Sequence, residues 1–220
     1  MKQSRFKSIK NGLAFLRRFI QAPRKVGSAF PSSPWLAKGV TTSIPYPFED
    51  IPPRYYLEVG PGTGKVTKKI IDHLRPEDRL DLIELDEEFC NILLQQFGHV
   101  KNVHVYHTSI TDWKPDNYLY HVIISGLPLN AFSSSQVQEI LKTFQRLIED
   151  GGILSYFEYP AIAKIIPLFL PEEKKKDFMK VQSIKESFFL AHNGTSRMIL
   201  RNLPPARICR CSIIKTDFDV

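Results

Sequence analysis

An α/β fold with a mostly parallel, doubly wound sheet is what this 220-residue sequence predicts, and three observations predict it. Five strand-like apolar runs alternate with helical or crossover segments between Tyr55 and Phe157. A glycine-rich turn follows the first run directly. An acidic residue, Glu84, closes the second run 20 positions after the last glycine of that turn. Strands of this kind need cover on both faces of their sheet, which the intervening helices supply.

Taken in order, Phe6, Ile9, Leu13, Leu16 and Ile20 recur at steps of 3 and 4, so residues 4–21 read as an amphipathic helix flanked by Arg5, Lys10 and Arg17. Pro23 ends it. Residues 23–54 hold seven prolines and read as a connector or lid, poor material for helix or strand. Tyr55–Val59 reads as a strand, Lys65 to Leu74 as a helix, and Leu80–Leu85 as a strand. Asp86 caps a helix to Phe97. Strands follow at Val103–His107 and Tyr120–Ile124, then a helix from Ser134 to Ile148. Glu149–Gly152 reads as a turn and Ile153–Phe157 as the fifth strand. Beyond it come an apolar helix near 161–170, a basic stretch at Lys174–Lys176, and strand-like runs near 186–191, 197–201 and 207–214. The organisation expected is a basic helix (1–22), the connector (23–54) and one α/β domain (55–220).

Composition narrows the classes. No apolar run reaches the roughly 20 residues of a membrane span, and Arg17 and Arg18 interrupt the N-terminal apolar residues, against a secretory signal. Cys90, Cys209 and Cys211 show neither metal spacing nor a paired framework, which predicts a reducing, cytoplasmic setting and no metal. The net charge of +7 is concentrated: residues 1–48 carry nine basic side chains and no acid. Such a segment seeks an anionic surface, lipid or nucleic acid.

The sharpest motif is Glu58-Val59-Gly60-Pro61-Gly62-Thr63-Gly64, a strand running into Gly-x-Gly-x-Gly and a helix. Glycines let the backbone turn tightly and let a ligand touch it, at the strand ends where open α/β sheets bind ligands. A dinucleotide site wants its third glycine one residue later, and Glu58 would repel a pyrophosphate. An acid there suits a ligand with a cationic end. Glu84 at the next strand end can accept from ribose hydroxyls, whereas Asp86 is better read as a cap.

These residues, with the Gly151-Gly152 turn, resemble the class I S-adenosylmethionine-dependent methyltransferases over roughly residues 55–160. The resemblance implies their Rossmann-like fold with an antiparallel C-terminal strand, and S-adenosylmethionine as cofactor. It places cofactor contacts at Glu58, Gly60, Gly62, Gly64 and Glu84, and an adenine contact at Ser109 and Ile110. Many relatives carry Asp where Ser109 stands, and Asp112 is the substitute candidate. It also puts the loop Ser125-Gly126-Leu127-Pro128-Leu129-Asn130 opposite the transferable methyl. Methyltransferases of planar amines often have Asn/Asp-Pro-Pro-Tyr or Asn-Leu-Pro-Tyr here. Ser for Asn and Leu for the aromatic disfavour a flat nucleobase.

Ser-Gly-Leu-Pro-Leu instead resembles the soluble-type bacterial phosphatidylethanolamine N-methyltransferases. So do Phe19–Ser28 with Pro31-Ser32-Ser33, and Arg201-Asn202-Leu203-Pro204-Pro205-Ala206-Arg207-Ile208. The implied reaction is phospholipid amine methylation, from phosphatidylethanolamine towards phosphatidylcholine. Ser125, Gly126 and Leu127 would serve the reacting centre. Tyr159 is a candidate to hold the methylated ammonium by a cation–π contact, and Glu158 to pair with it; His192 reads as a loop histidine. The N-terminal helix would then lie on an anionic membrane surface, making the protein peripheral to the inner leaflet of the cytoplasmic membrane. No obligate protein partner is implied. Two competing readings are an rRNA adenine dimethyltransferase, disfavoured by the missing aromatic, and a non-catalytic membrane-binding module that keeps a cofactor pocket.

Overall fold

Parallel strands close the centre of the molecule because their apolar runs are buried on both faces. The computed structural model describes residues 33–42, 44, 52–202 and 204–215. The amphipathic helix expected over 4–21 and most of the connector lie outside the described residues. The chain runs α1 (Pro34–Thr41), β1 (Tyr55–Val59), α2 (Lys65–Ile71), β2 (Arg79–Glu84), α3 (Glu87–Phe97), β3 (Val103–His107) and β4 (Tyr120–Ser125). After a 3-10 turn (Leu129–Ala131) come α4 (Ser134–Leu147), β5 (Ile148–Glu158), α5 (Pro160–Ile165), a second 3-10 turn (Ile166–Phe169) and α6 (Glu172–Ala191). A hairpin of β6 (Thr195–Ile199) and β7 (Ala206–Ser212) completes it.

The sheet order is β3-β2-β1-β4-β5-β7-β6. β1 pairs in parallel with both β2 and β4, while β7 runs antiparallel to β5 and β6. The chain leaves β1 to one side for β2 and β3, then returns to the other side for β4 and β5. That reversal opens a crevice at the carboxyl ends of β1 and β4, where ligands of open α/β sheets bind. One core lies under α4 and α6, around Leu57, Ile123, Phe144, Leu154 and Val181. The other lies under α1, α2 and α3, around Leu36, Ile70, Leu82, Leu93 and Val122.

Five sequence expectations change. The connector contains a true helix, α1, because Ser33 caps it by accepting from Leu36 N–H at 3.2 Å and Pro34 opens it. The 186–191 run is helical: Phe178, Val181, Lys185 and Phe188 form one face of α6, and a charged residue interrupts the apolar period. The apolar segment near 161–170 splits into α5 and a 3-10 turn at Ile166-Pro167. Glu149–Gly152 is a bulge inside the long β5, since Tyr120 pairs with Ile148 and Val122 with Ile153. The second helix also ends three residues early, at Ile71.

Candidate active site

The first turn is built by backbone contact between two strand ends. Gly126 N–H donates to the Val59 carbonyl at 2.8 Å, and Gly60 N–H to the Ile83 carbonyl at 2.9 Å. A Cβ on Gly126 would stand 2.6 Å from the Gly60 carbonyl oxygen, so no side chain fits there. Gly60, Gly62 and Gly64 all have positive φ, at 68°, 56° and 77°. They differ in surroundings. A Cβ on Gly64 would lie 2.5 Å from the Phe97 ring, whereas one on Gly62 would meet nothing within 4 Å. Gly64 therefore packs the turn on α3, and Gly62 presents bare backbone to the crevice.

Two buried acids flank this turn. Glu58, on β1, accepts from the Thr67 hydroxyl of α2 at 2.6 Å. Burial drives its pKa up to about 8, against the Thr67 bond and with help from the charge of Glu84. Glu84 ends β2 and is 8% exposed. Its Oε1 accepts from Leu85 N–H at 2.8 Å and Asp86 N–H at 3.1 Å, and its Oε2 from Gly62 N–H at 3.0 Å. A carboxylate offers about four acceptor positions, so one remains for a ligand hydroxyl, where the sequence suggested two. Asp86 caps α3, accepting from Glu88 and Phe89 N–H.

Ser109 and Ile110 follow β3 at the same edge. The Ser109 hydroxyl shares a 2.9 Å hydrogen bond with that of Thr111, and its carbonyl accepts from Asp112 N–H. Ile110 is buried in the core beneath α4, leaving its backbone as the available contact. Asp112 is exposed.

The loop after β4 is held from within. The buried Ser125 hydroxyl accepts from Leu127 N–H at 3.3 Å, and the Leu127 carbonyl accepts from Leu129 N–H at 2.9 Å. Leu127 lies over the glycine turn, 3.1 Å from where a Gly60 Cβ would be. Asn130 ties the loop outward: its Oδ1 accepts from Gln182 at 2.9 Å and from Lys185 Nζ at 2.8 Å. Lys185 in turn lies 2.6 Å from Glu158 Oε2. Asn130, Thr67 and Lys185 had no assigned role in the sequence. Lys185 was hidden by the strand-like reading of the residues just after it.

Three further residues weighed from the sequence are already engaged within the protein. Glu158 is already paired with Lys185 and Arg207, which together outweigh burial and hold its pKa below the usual carboxylate value. It has no need of a substrate cation. Tyr159 packs edge-on to Phe157, rings 5.9 Å apart, on the α1 side of the sheet. Burial pushes its phenol up to about 12, against a hydrogen bond with Asn202. His192 is buried and finishes α6: its Nδ1 accepts from Ile214 N–H at 3.3 Å.

The residues present fit S-adenosylmethionine. The buried Glu58 carboxyl suits the cationic end of a ligand, Glu84 keeps an acceptor position for a hydroxyl, and Gly62 leaves space for close approach.

Comparison with known proteins agrees with this geometry. Residues 57–152 match the family described as a methyltransferase domain. The chain is 25% identical over 215 residues to an ornithine lipid N-methyltransferase of Singulisphaera acidiphila, covering 96% of this chain and 100% of the relative. It is 29% identical over 123 residues to a ribosomal RNA small subunit methyltransferase A of Malacoplasma penetrans, covering 55% and 42% of the two chains. Among solved structures, the N-methyltransferase NodS of Bradyrhizobium japonicum, in complex with S-adenosyl-L-homocysteine, superposes with a TM-score of 0.56. It has 13% identity and covers 83% of this chain and 89% of that one, a likeness of fold. The family match, the sheet order and the acid-flanked glycine turn make this chain an S-adenosylmethionine-dependent methyltransferase of Rossmann-like fold.

Proposed function

We propose that the chain N-methylates the amine headgroup of a membrane lipid, with ornithine lipid and phosphatidylethanolamine as the candidate acceptors. The observation that carries this is the likeness to the ornithine lipid enzyme, which spans nearly the whole chain. The ribosomal RNA enzyme matches only 55% of the chain. The loop Ser125–Asn130 supports the same reading, because it lacks an aromatic ring to stack on a base. Phosphatidylethanolamine is the acceptor suggested by the sequence motifs, and ornithine lipid the one acted on by the relative.

The bound cofactor supplies an electrophilic methyl on a positively charged sulfur. Glu58 would face its ammonium end, the Gly60–Gly64 backbone its length, Glu84 a ribose hydroxyl, and Ser109 with the Ile110 backbone its base. Ser125, Gly126 and Leu127 fix the floor on which an acceptor amine rests. Their internal hydrogen bonds leave the loop little freedom, and positioning of this kind supplies much of the barrier reduction in such a transfer. The amine must be neutral to attack, so one proton passes to solvent before each transfer.

The test is incubation with labelled S-adenosylmethionine and, separately, ornithine lipid vesicles, phosphatidylethanolamine vesicles and ribosomal RNA. Label in either lipid supports the reading; label only in RNA overturns it. Glu84→Gln should weaken cofactor uptake at least tenfold by calorimetry. Unchanged uptake would remove Glu84 from the site.

A further inference from the structure

No helix among the described residues is long and apolar enough to cross a membrane. The sequence leaves the run Ile165–Leu170 as either core or surface. Among these residues only Ile166 is buried. Leu168 is 76% exposed, Phe169 61% and Ile165 41%. Ile165 ends α5, and Leu168 and Phe169 lie on the 3-10 turn between α5 and α6. Basic side chains flank them: Lys164 on α5, and Lys174, Lys176 and Lys180 on α6, all exposed. None of these four forms an ion pair among the described residues. Of the acids nearby, Glu172 pairs with Lys175 and Asp177 accepts from the Ser134 hydroxyl at 2.5 Å, while Glu173 is exposed beside Lys174.

We propose that this α5–α6 corner is the face the enzyme lays on an anionic lipid bilayer, with Leu168 and Phe169 entering the headgroup boundary and the lysines meeting lipid charge. The proposal rests on the lipid-methylating reading and deepens it by naming the surface. Its chemistry is that of an interfacial segment: apolar tips flanked by lysine. Position supports it as well. α5 begins two residues after β5 ends, at the carboxyl edge of the sheet, and Asp177 ties the start of α6 to the start of α4 at that same edge. The corner thus borders the crevice that holds Ser125–Asn130. A bilayer touching it presents headgroups beside the reacting loop. An RNA partner would leave the apolar tips in water, and a folded protein partner would want a larger flat patch.

The experiment uses the full chain with vesicles of phosphatidylglycerol and phosphatidylethanolamine, and with vesicles of phosphatidylcholine alone. Leu168→Ser/Phe169→Ser should bind the anionic vesicles at least tenfold more weakly than wild type in co-sedimentation. S-adenosylhomocysteine affinity should not change, because the altered side chains are exposed and make none of the cofactor contacts named above. Lys174→Gln/Lys176→Gln/Lys180→Gln should weaken anionic binding by several-fold per lysine and leave the low binding to phosphatidylcholine unaltered. This second variant decides the matter if the first does not fold. Wild-type binding by both variants overturns the proposal and leaves the corner to another occupant, such as residues 1–22. Methyl transfer to detergent-dispersed aminolipid is read separately. Its absence in wild type would reject the lipid reading while the vesicle data still judge the surface.

Discussion

Lys185 Nζ lies 2.6 Å from Glu158 Oε2, with 6% and 9% of the two side chains exposed. This ion pair joins α6 to the carboxyl end of β5, and through Asn130 it also grips the loop after β4. Removing one partner of a buried pair leaves the other uncompensated. Lys185→Met should therefore destabilise the protein by about 3 kcal/mol in denaturant unfolding, softened by Arg207, which keeps one carboxylate oxygen paired. Lys185→Gln should keep S-adenosylhomocysteine affinity within about twofold and lower kcat, as expected if Lys185 positions the loop.

Glu58 should make cofactor uptake pH-dependent if it meets the cationic end of the cofactor. Its pKa of about 8 means that it holds a proton at neutral pH. A cationic ligand end favours the carboxylate, so binding releases that proton. Affinity for S-adenosylhomocysteine should rise with pH up to about 8, by at most about tenfold per unit, and then level off. Calorimetry near pH 7 in buffers of different ionisation enthalpy should show proton release in wild type and none in Glu58→Gln. For the free protein the sign is the reverse. The folded state holds a proton that the unfolded state has lost, so this group's contribution to stability falls as pH climbs from about 4.5 to about 8.

The glycines of the turn should separate folding from binding. Gly62→Ala meets no atom, so it should cost only about 1–2 kcal/mol of left-handed backbone strain while cofactor affinity drops sharply. Gly64→Ala carries the same strain and also strikes Phe97, and its loss in thermal unfolding should be clearly larger.

Gly126→Ala should be the most damaging of the small substitutions near the loop. The added methyl meets the Gly60 carbonyl, a backbone atom that cannot step aside. Loss of methyl transfer with a lower melting temperature is the expected outcome. Retained activity would mean that the two strand ends can part without harm.

Local signals carried much of this architecture. β1 and β3 have the expected bounds because their apolar runs end at glycine or polar residues, and Asp86 caps α3 as its position suggests. Ser33-Pro34 was a helix start masked by the surrounding prolines. The site was legible where chemistry follows from one segment, as in the glycine turn. It was illegible where distant segments meet. Lys185 reaches Asn130 across 55 positions, and the three backbone donors on Glu84 include one from 22 residues earlier. Glu158 shows the cost: beside the fifth strand it invites a substrate cation, and only the folded chain reveals that Lys185 and Arg207 already satisfy it.

The β6–β7 hairpin imposes an order on how the sheet closes. β7 is inserted between β5 and β6, although it follows both in the chain. Until β7 docks, β5 keeps one unsatisfied edge and β6 has no neighbour in the sheet. An open, adhesive margin therefore persists during folding until this one strand is in place.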